Sequence, residues 1–371
     1  MENNFFPRAR AAALARSRSH ALPLSRALAA AALALIALEH PVAAQTATPP
    51  SGLATYAGSD RLERIAAAAR KEGTVTLYTT FAASNIEMIA RDFELRHGVK
   101  ISSWRSGTLR VLQRVLTEAK AGHYEVDAVM FGSPEMEALH REGLLLEVRS
   151  PQHKQLVEGA LPAHGSWAAV YLNLFAHAYN TNQVKREELP RTYADLLHPR
   201  WKGRLGVESQ DQEWFLAVVK DMGEAAGLKF FRELVAGNGL SVRTGHSLLN
   251  NLVVSGEVPL ALTVHSYMPE QMKRKGAPID WFVMEPAVVR PNAVGVTKRA
   301  PHPNAALLLY EYLLSDAQKL LAEKAYIPST RQGDSPLKNL RVRVVNPVEA
   351  LDENDKWTKL YEETLRGAQP R

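Results

Sequence analysis

Hydrophobic and polar positions along this chain alternate between two rhythms, and the switch between them recurs. Residues 74–80 place Val75, Leu77 and Tyr78 in a β-favouring run. Before it, a helical pattern opens at Asp60, with Glu63 completing a capping box, and stops at Gly73. After it, Ser84 and Glu87 form a second capping box for a helix through Leu95 that ends at Gly98. Residues 99–104 predict a strand, and 107–121 a helix carrying Leu109, Leu112, Val115, Leu116 and Ala119 on one face. Residues 126–131 predict a third strand, followed by Ser133 as helix cap, Pro134 at the first helical position and Gly143 as stop. Strand–helix repetition of this length implies parallel strands with right-handed crossovers, and so an α/β fold.

A second α/β unit begins near Tyr171. Strands are expected at 205–208, 240–243, 260–264, 281–289 and 293–297, and helices at 212–221, 227–236 and 246–254. A long amphipathic stretch runs over 304–326, and a charged surface helix follows Leu351. Strand-rich crossings near 170–180 and 285–295 divide the chain into two lobes with a cleft between them and hinges at the crossings.

The amino terminus belongs to neither lobe. Arg8, Arg10, Arg16, Arg18 and Arg26 form a basic region, and residues 27–38 an apolar core of a dozen residues, short of the roughly 20 that span a bilayer. Val42 and Ala44 supply the small residues of a cleavage site, so residues 1–44 are expected to be a signal peptide cut after Ala44. Residues 45–52 read as a mobile lead-in. The chain has no cysteine, which excludes a lipoprotein anchor, disulfides and thiolate metal sites and fits a Gram-negative periplasm. Its net charge of +6 falls to +3 when five arginines and two glutamates leave with the signal, too little to suggest nucleic acid.

Three strand-to-helix junctions fall on one edge of the first sheet: residues 79–84, 106–108 and 132–134. Backbone N–H groups at such junctions favour anions and polar ligands, although Ser and Thr there also serve as caps. Candidate ligand-binding residues on the first lobe are therefore Thr79, Thr80, Phe81, Arg105, Ser106, Thr108, Gly132 and Ser133. On the second lobe they are Ser209, His246, His265, Ser266 and Tyr267; the strand 260–264 ends in the last three. Arg105 can pair with a carboxylate or phosphate. Tyr267, with His265 assisting, can hold a hard metal ion once its phenol proton is displaced; the alternative is an aromatic ring stacked on a ligand or on the facing lobe. Trp104, Phe81 and Trp214 are cleft or core aromatics.

Enzyme signatures fail. Gly245-His246-Ser247 lacks the final glycine of a nucleophile elbow, there is no Gly-Lys-Ser/Thr phosphate loop, and the twelve histidines form no zinc-helix motif. No cofactor is called for.

Several segments carry a family resemblance. They are Tyr78-Thr79-Thr80-Phe81; residues 113–118 followed by Asp127-Ala128-Val129; and residues 300–306 with Leu313-Leu314-Ser315. The most specific is residues 192–204, Thr-Tyr-Ala-Asp-Leu-Leu-His-Pro-Arg-Trp-Lys-Gly-Arg. Together they make the chain resemble the extracellular solute-binding proteins of ABC importers, in the group that includes ferric-ion-binding proteins. The resemblance implies a hinged clamshell of the type II periplasmic binding protein kind, each lobe a mostly parallel sheet flanked by helices. It implies a first lobe over 45–172, a second over 173–288, a return to the first over 289–331 and a helical tail over 332–371. A monomer would then close on one ligand in the periplasm and deliver it to a permease in the inner membrane. In iron-binding members the metal is held by a histidine, a glutamate and a tyrosine pair, at positions that fall here near Ala82, Gly132, Ser266 and Tyr267. Glu135 is a possible replacement for the glutamate. The ligand is accordingly ferric iron or a small organic or phosphorylated anion. The competing expectations are an exported α/β enzyme and a soluble sensing partner of a membrane receptor.

Overall fold

In the computed structural model, which describes residues 52–331 and 335–366, the two rhythms resolve into helices and strands close to those expected. The predicted signal peptide and nearly all of the lead-in lie outside the described residues. The first lobe begins with α1 (Arg61–Glu72), β1 (Thr74–Thr79), α2 (Ala83–His97), β2 (Lys100–Arg105), α3 (Thr108–Lys120), β3 (Ala128–Gly132) and α4 (Ser133–Arg141). β1 pairs in parallel with β2 on one side and β3 on the other. α1 ends where Gly73 takes a left-handed conformation (φ 74°) that other residues adopt only with strain, so the chain turns directly into β1.

β4 (Ala168–Asn180) then crosses out of this lobe. The second lobe holds β5 (Leu205–Glu208), α5 (Gln212–Met222), α6 (Glu224–Asn238), β6 (Ser241–Arg243), α7 (His246–Ser255), β7 (Leu260–His265), α8 (Tyr267–Arg274) and β8 (Ile279–Phe282). β5 pairs in parallel with β6 and β7, and β7 runs antiparallel to the far half of β4. β9 (Ala287–Val296) returns antiparallel to β4 and β3. The strand order is therefore β2-β1-β3-β9-β4-β7-β5-β6, one curled mixed sheet in which β4 and β9 belong to both halves. All 13 residues of β4 are buried, as a strand covered on both faces requires. The chain closes with α9 (Pro303–Leu313), α10 (Ala317–Glu323), β10 (Ile327–Pro328), β11 (Val342–Val344), α11 (Pro347–Asp352) and α12 (Asn354–Arg366).

Three main cores follow from this order. Ile65, Phe93, Leu77, Leu309 and Tyr312 pack on one face of the first sheet, while Val111, Val115, Phe131 and Trp167 fill the other. In the second lobe Trp201, Trp214, Phe215, Phe231, Trp357 and Tyr361 form the main core. α5 and α6 approach so closely that a Cβ on Gly227 would lie 2.7 Å from the Val219 backbone.

Several local expectations are corrected. Neither early capping box forms: the Asp60 carboxylate takes Tyr56 and Arg64 instead, and α2 starts at Ala83, one residue before Ser84. Ser133 is the first residue of α4 rather than its cap, the cap being Gly132. The buried positions of α3 are Val111 and Val115. Leu109 is 62% exposed, because it lies two residues, or about 200° of helix rotation, from Val111. The expected strand 281–289 is two strands, β8 and the start of β9, with Pro286 in the break, and the latter continues through 293–296. The amphipathic stretch 304–326 resolves into two helices, α9 and α10. The tail contains β11, which pairs with β9, and its final helix buries Trp357, Tyr361 and Leu365.

Candidate ligand site

β1, β2 and β3 end on one edge of the first lobe, and β7 brings its carboxyl end to the same place from the second. Thr79 is a fastener within the first lobe: its hydroxyl donates to the Met130 carbonyl (2.9 Å) and accepts from the Phe81 N–H (3.0 Å). The Thr80 N–H also donates to the Met130 carbonyl, at 3.3 Å. The Phe81 ring is buried between Tyr171 (5.5 Å) and Tyr326 (5.1 Å). Arg105 donates from Nε to the Phe81 carbonyl (2.9 Å), and its charge reaches the Tyr267 phenol. Ser106 donates its N–H to Thr79 (3.2 Å) and Thr108 opens α3; both are half-buried beside Arg105. Gly132 lies opposite Asn292, and the Ser133 hydroxyl is buried without a protein partner. Trp104 packs on Tyr78 and under Arg114, and Trp214 is second-lobe core.

At the meeting of the lobes four rings form a near-parallel ladder. Tyr326, from the first lobe, stacks on Tyr267, from the second, with centroids 4.2 Å apart and planes at 27°. Tyr267 is followed by His265 (6.1 Å, 21°), and His265 by His246 (4.1 Å, 21°). Tyr171 closes edge-on against Tyr326 at 4.7 Å. Asn85 donates to the Tyr326 hydroxyl at 2.6 Å, and that hydroxyl is hydrogen-bonded in turn to the Tyr267 oxygen. Burial pushes the Tyr267 phenol up to about 12, against the hydrogen bond from Tyr326 and the charges of Arg105 and Arg290. Burial likewise raises Tyr171 and Tyr326. All three phenols are thus held neutral, and an ion able to displace their protons would gain closely spaced oxygen donors.

Sequence reasoning missed Tyr171 and Tyr326. Tyr171 is hidden in a continuous apolar strand. Tyr326 follows Ala325, which turns the chain with φ 64° just after α10; that positive angle at a non-glycine residue leaves no mark in the pattern.

Beside the ladder lies a charged group. The Arg290 guanidinium, on β9, donates to both Glu213 oxygens (3.3 and 3.2 Å). Glu135 in α4 has a buried Oε2 without a hydrogen-bond partner, and a Cβ on Gly132 would come within 2.6 Å of it. Burial, then the like charge of Glu213, raises the Glu135 carboxyl to about 7 against the pull of Arg290. The tip of β5 adds Glu208, which accepts N–H bonds from Gly245 (2.8 Å) and Gln210 (2.5 Å). Asp211 bonds His246 Nε2 at 3.0 Å. Six buried polar atoms without protein partners lie on the elements that meet here: Ser133 Oγ, Glu135 Oε2, Asn173 Oδ1, His265 Nδ1, Arg290 Nε and Asn292 Oδ1. Polar atoms so buried are ordinarily bonded, and where no protein group serves, water or a ligand does.

The remaining expected residues are at the margin. Ser266 is buried and uses its N–H on the Leu174 carbonyl (3.0 Å), while Ser209 bonds Thr244 (3.0 Å). A separate cavity of about 870 Å³ behind the crossing strands, lined by Trp167, Leu172, Val289 and the 335–347 segment, shares none of the ladder's side chains.

Residues 126–354, more than half of the chain, match the family of bacterial extracellular solute-binding proteins. The iron uptake protein A1 of Synechocystis sp. (strain ATCC 27184 / PCC 6803 / Kazusa) is 23% identical over 273 residues, covering 68% of this chain and 74% of that protein. Among solved structures, iron-bound HitA from Pseudomonas aeruginosa has the same fold with a TM-score of 0.69 at 22% identity, covering 78% of this chain and 99% of that one. The periplasmic binding protein AfuA from Actinobacillus pleuropneumoniae, with exogenous fructose-6-phosphate bound, matches at TM-score 0.69 and 21% identity, covering 80% and 99%.

Proposed function

The chain belongs to the bacterial extracellular solute-binding protein family and is the substrate-binding component of an ABC importer; we propose that its cargo is ferric iron held between the lobes. One observation carries the choice of cargo: Tyr267 and Tyr326 meet from opposite lobes, ring on ring and hydroxyl to hydroxyl. Ferric iron is a small, hard cation that favours anionic oxygen donors. Two phenols from two lobes, with Tyr171 behind them and Glu135 nearby, supply such donors once their protons leave. Because the donors come from both lobes, the ion favours the closed arrangement over the open one, which is how binding becomes a signal to a permease.

The charge balance accommodates a cation: Glu208, Asp211 and Glu213, joined by Glu135 when it ionises, stand against Arg290, His246 and the more exposed Arg105. In this proposal Tyr267, Tyr326 and Glu135 hold the ion. Phe81, Arg105, Gly132, Ser133 and His265 shape the site around it, and Thr79, Thr80, Ser106, Thr108 and Ser266 build its edge. The lobes divide at 172–173 and 288–289, inside the crossing strands β4 and β9. The protein works in the periplasm as a monomer without turnover, after losing a leader that ends at Ala44.

A second reading has its own observation. Arg105 and Arg290 both act on the Tyr267 phenol, and two arginines suit a phosphorylated anion. Titration of chelator-treated protein with ferric citrate separates the two. Iron binding through phenolate produces a visible charge-transfer band that Tyr267→Phe removes. Protein that stays colourless while a sugar phosphate raises its melting temperature supports the anion instead.

A further inference from the structure

On the second lobe, at the far end of the ring ladder from Tyr326, Glu208, Asp211 and His246 each bring one ligand atom to within 4.8 Å of the others. They come from three places that one sheet fixes: the end of β5, the residue before α5 and the first residue of α7. Asp211 precedes a helix yet makes no capping bond with its side chain, which turns to His246 instead. Glu208 and Asp211 are 2% and 4% exposed, so two carboxylates share a buried place with one imidazole. Such a surplus of negative charge costs free energy unless a cation offsets it. A second observation is independent of the carboxylates. His265, 7% exposed, stacks face to face on His246 and keeps a buried Nδ1 with no protein partner. Arg290, whose charge also reaches Asp211, gives its hydrogen bonds to Glu213.

We propose that Glu208, Asp211 and His246, backed by His265, form a binding site for a divalent transition-metal ion of the zinc type. The donor set is mixed imidazole and carboxylate, which suits Zn²⁺ and Co²⁺ better than calcium or magnesium. Tetrahedral zinc with bonds of about 2.1 Å spaces its ligand atoms about 3.4 Å apart, so a side-chain shift of about 1 Å completes the site. All four residues belong to one lobe. Metal binding here therefore needs no closure, and it does not require that the cargo be iron.

The test is calorimetric titration of chelator-treated, full-length mature protein with Zn²⁺, with Co²⁺ as the spectroscopic probe. A single zinc ion should bind, and His246→Ala and Asp211→Asn should each weaken it at least about tenfold. Tyr267→Phe and Tyr326→Phe should leave it unchanged within about twofold. His246→Gln keeps a hydrogen bond to Asp211 and guards against misfolding: with an unaltered melting temperature it should still lose the cobalt absorption. Failure of wild-type protein to bind zinc would overturn the proposal, since His246 and Asp211 would then only brace two loops. So would zinc binding that survives His246→Gln, or that disappears in Tyr267→Phe.

Discussion

Replacing Glu135 by glutamine tests the electrostatics of the cleft on the chain's own residues. The Glu135 carboxyl is raised from an ordinary 4.5 to about 7, by burial first and the like charge of Glu213 second. A raised folded-state pKa means that the folded protein binds the proton more tightly than the unfolded chain. The benefit is complete below about pH 4.5 and is lost as pH rises through about 7. A shift of 2.5 units corresponds to about 3 kcal/mol once both states are ionised. Most of that change falls between pH 5 and pH 8. Glutamine keeps the shape and cannot ionise. Urea unfolding of metal-free protein should therefore show Glu135→Gln gaining on the wild type by about this amount as pH rises from 5 to 8. A stability difference that is flat with pH, or that moves the other way, would mean that the carboxyl is solvated and the cleft floor is not the enclosed acidic place described above.

Other consequences follow from the same structure. Tyr326→Phe and Tyr267→Phe each remove a phenol oxygen and should weaken ferric binding beyond the 10–100-fold typical of outer-shell changes, read by competition with citrate. Trp357→Ala empties a fully buried position that anchors α12 to the second lobe; it should cost about 3–5 kcal/mol and lower the urea midpoint. The Arg141–Asp352 pair ties α4 to α11, but its side chains are 40% and 53% exposed. Arg141→Ala should therefore change stability by no more than about 1 kcal/mol, and less at high salt. Amino-terminal sequencing of exported protein should begin at Gln45.

Much of the fold was legible because its strands and helices carry strong periods. The crossings expected near 170–180 and 285–295 correspond to β4 and β9, and the strand ending at His265 does present Tyr267 to the facing lobe. Legibility failed where a side chain had a nonlocal choice. Asp60 and Ser84 have the spacing of capping residues, but Tyr56 and Arg64 claim the Asp60 carboxylate, and α2 begins one residue before Ser84. The candidate site was half legible for the same reason. Residues at strand ends, such as Phe81, His265 and Tyr267, advertise themselves by position. Tyr171 lies inside an apolar run, Tyr326 follows a turn without glycine, and Arg290 and Glu213 sit in ordinary strand and helix patterns. Only the folding together of the two lobes makes those four part of one place. The ring ladder changes the reading of Tyr267 most, because its phenol is paired with a second one that no local motif announces.

Native mass spectrometry of protein released from the periplasm, without refolding or added chelator, bears most directly on what the cleft carries. Retained ferric iron, absent from Tyr267→Phe prepared in parallel, is the result predicted here. A retained organic phosphate with no iron, equally present in both proteins, would contradict it.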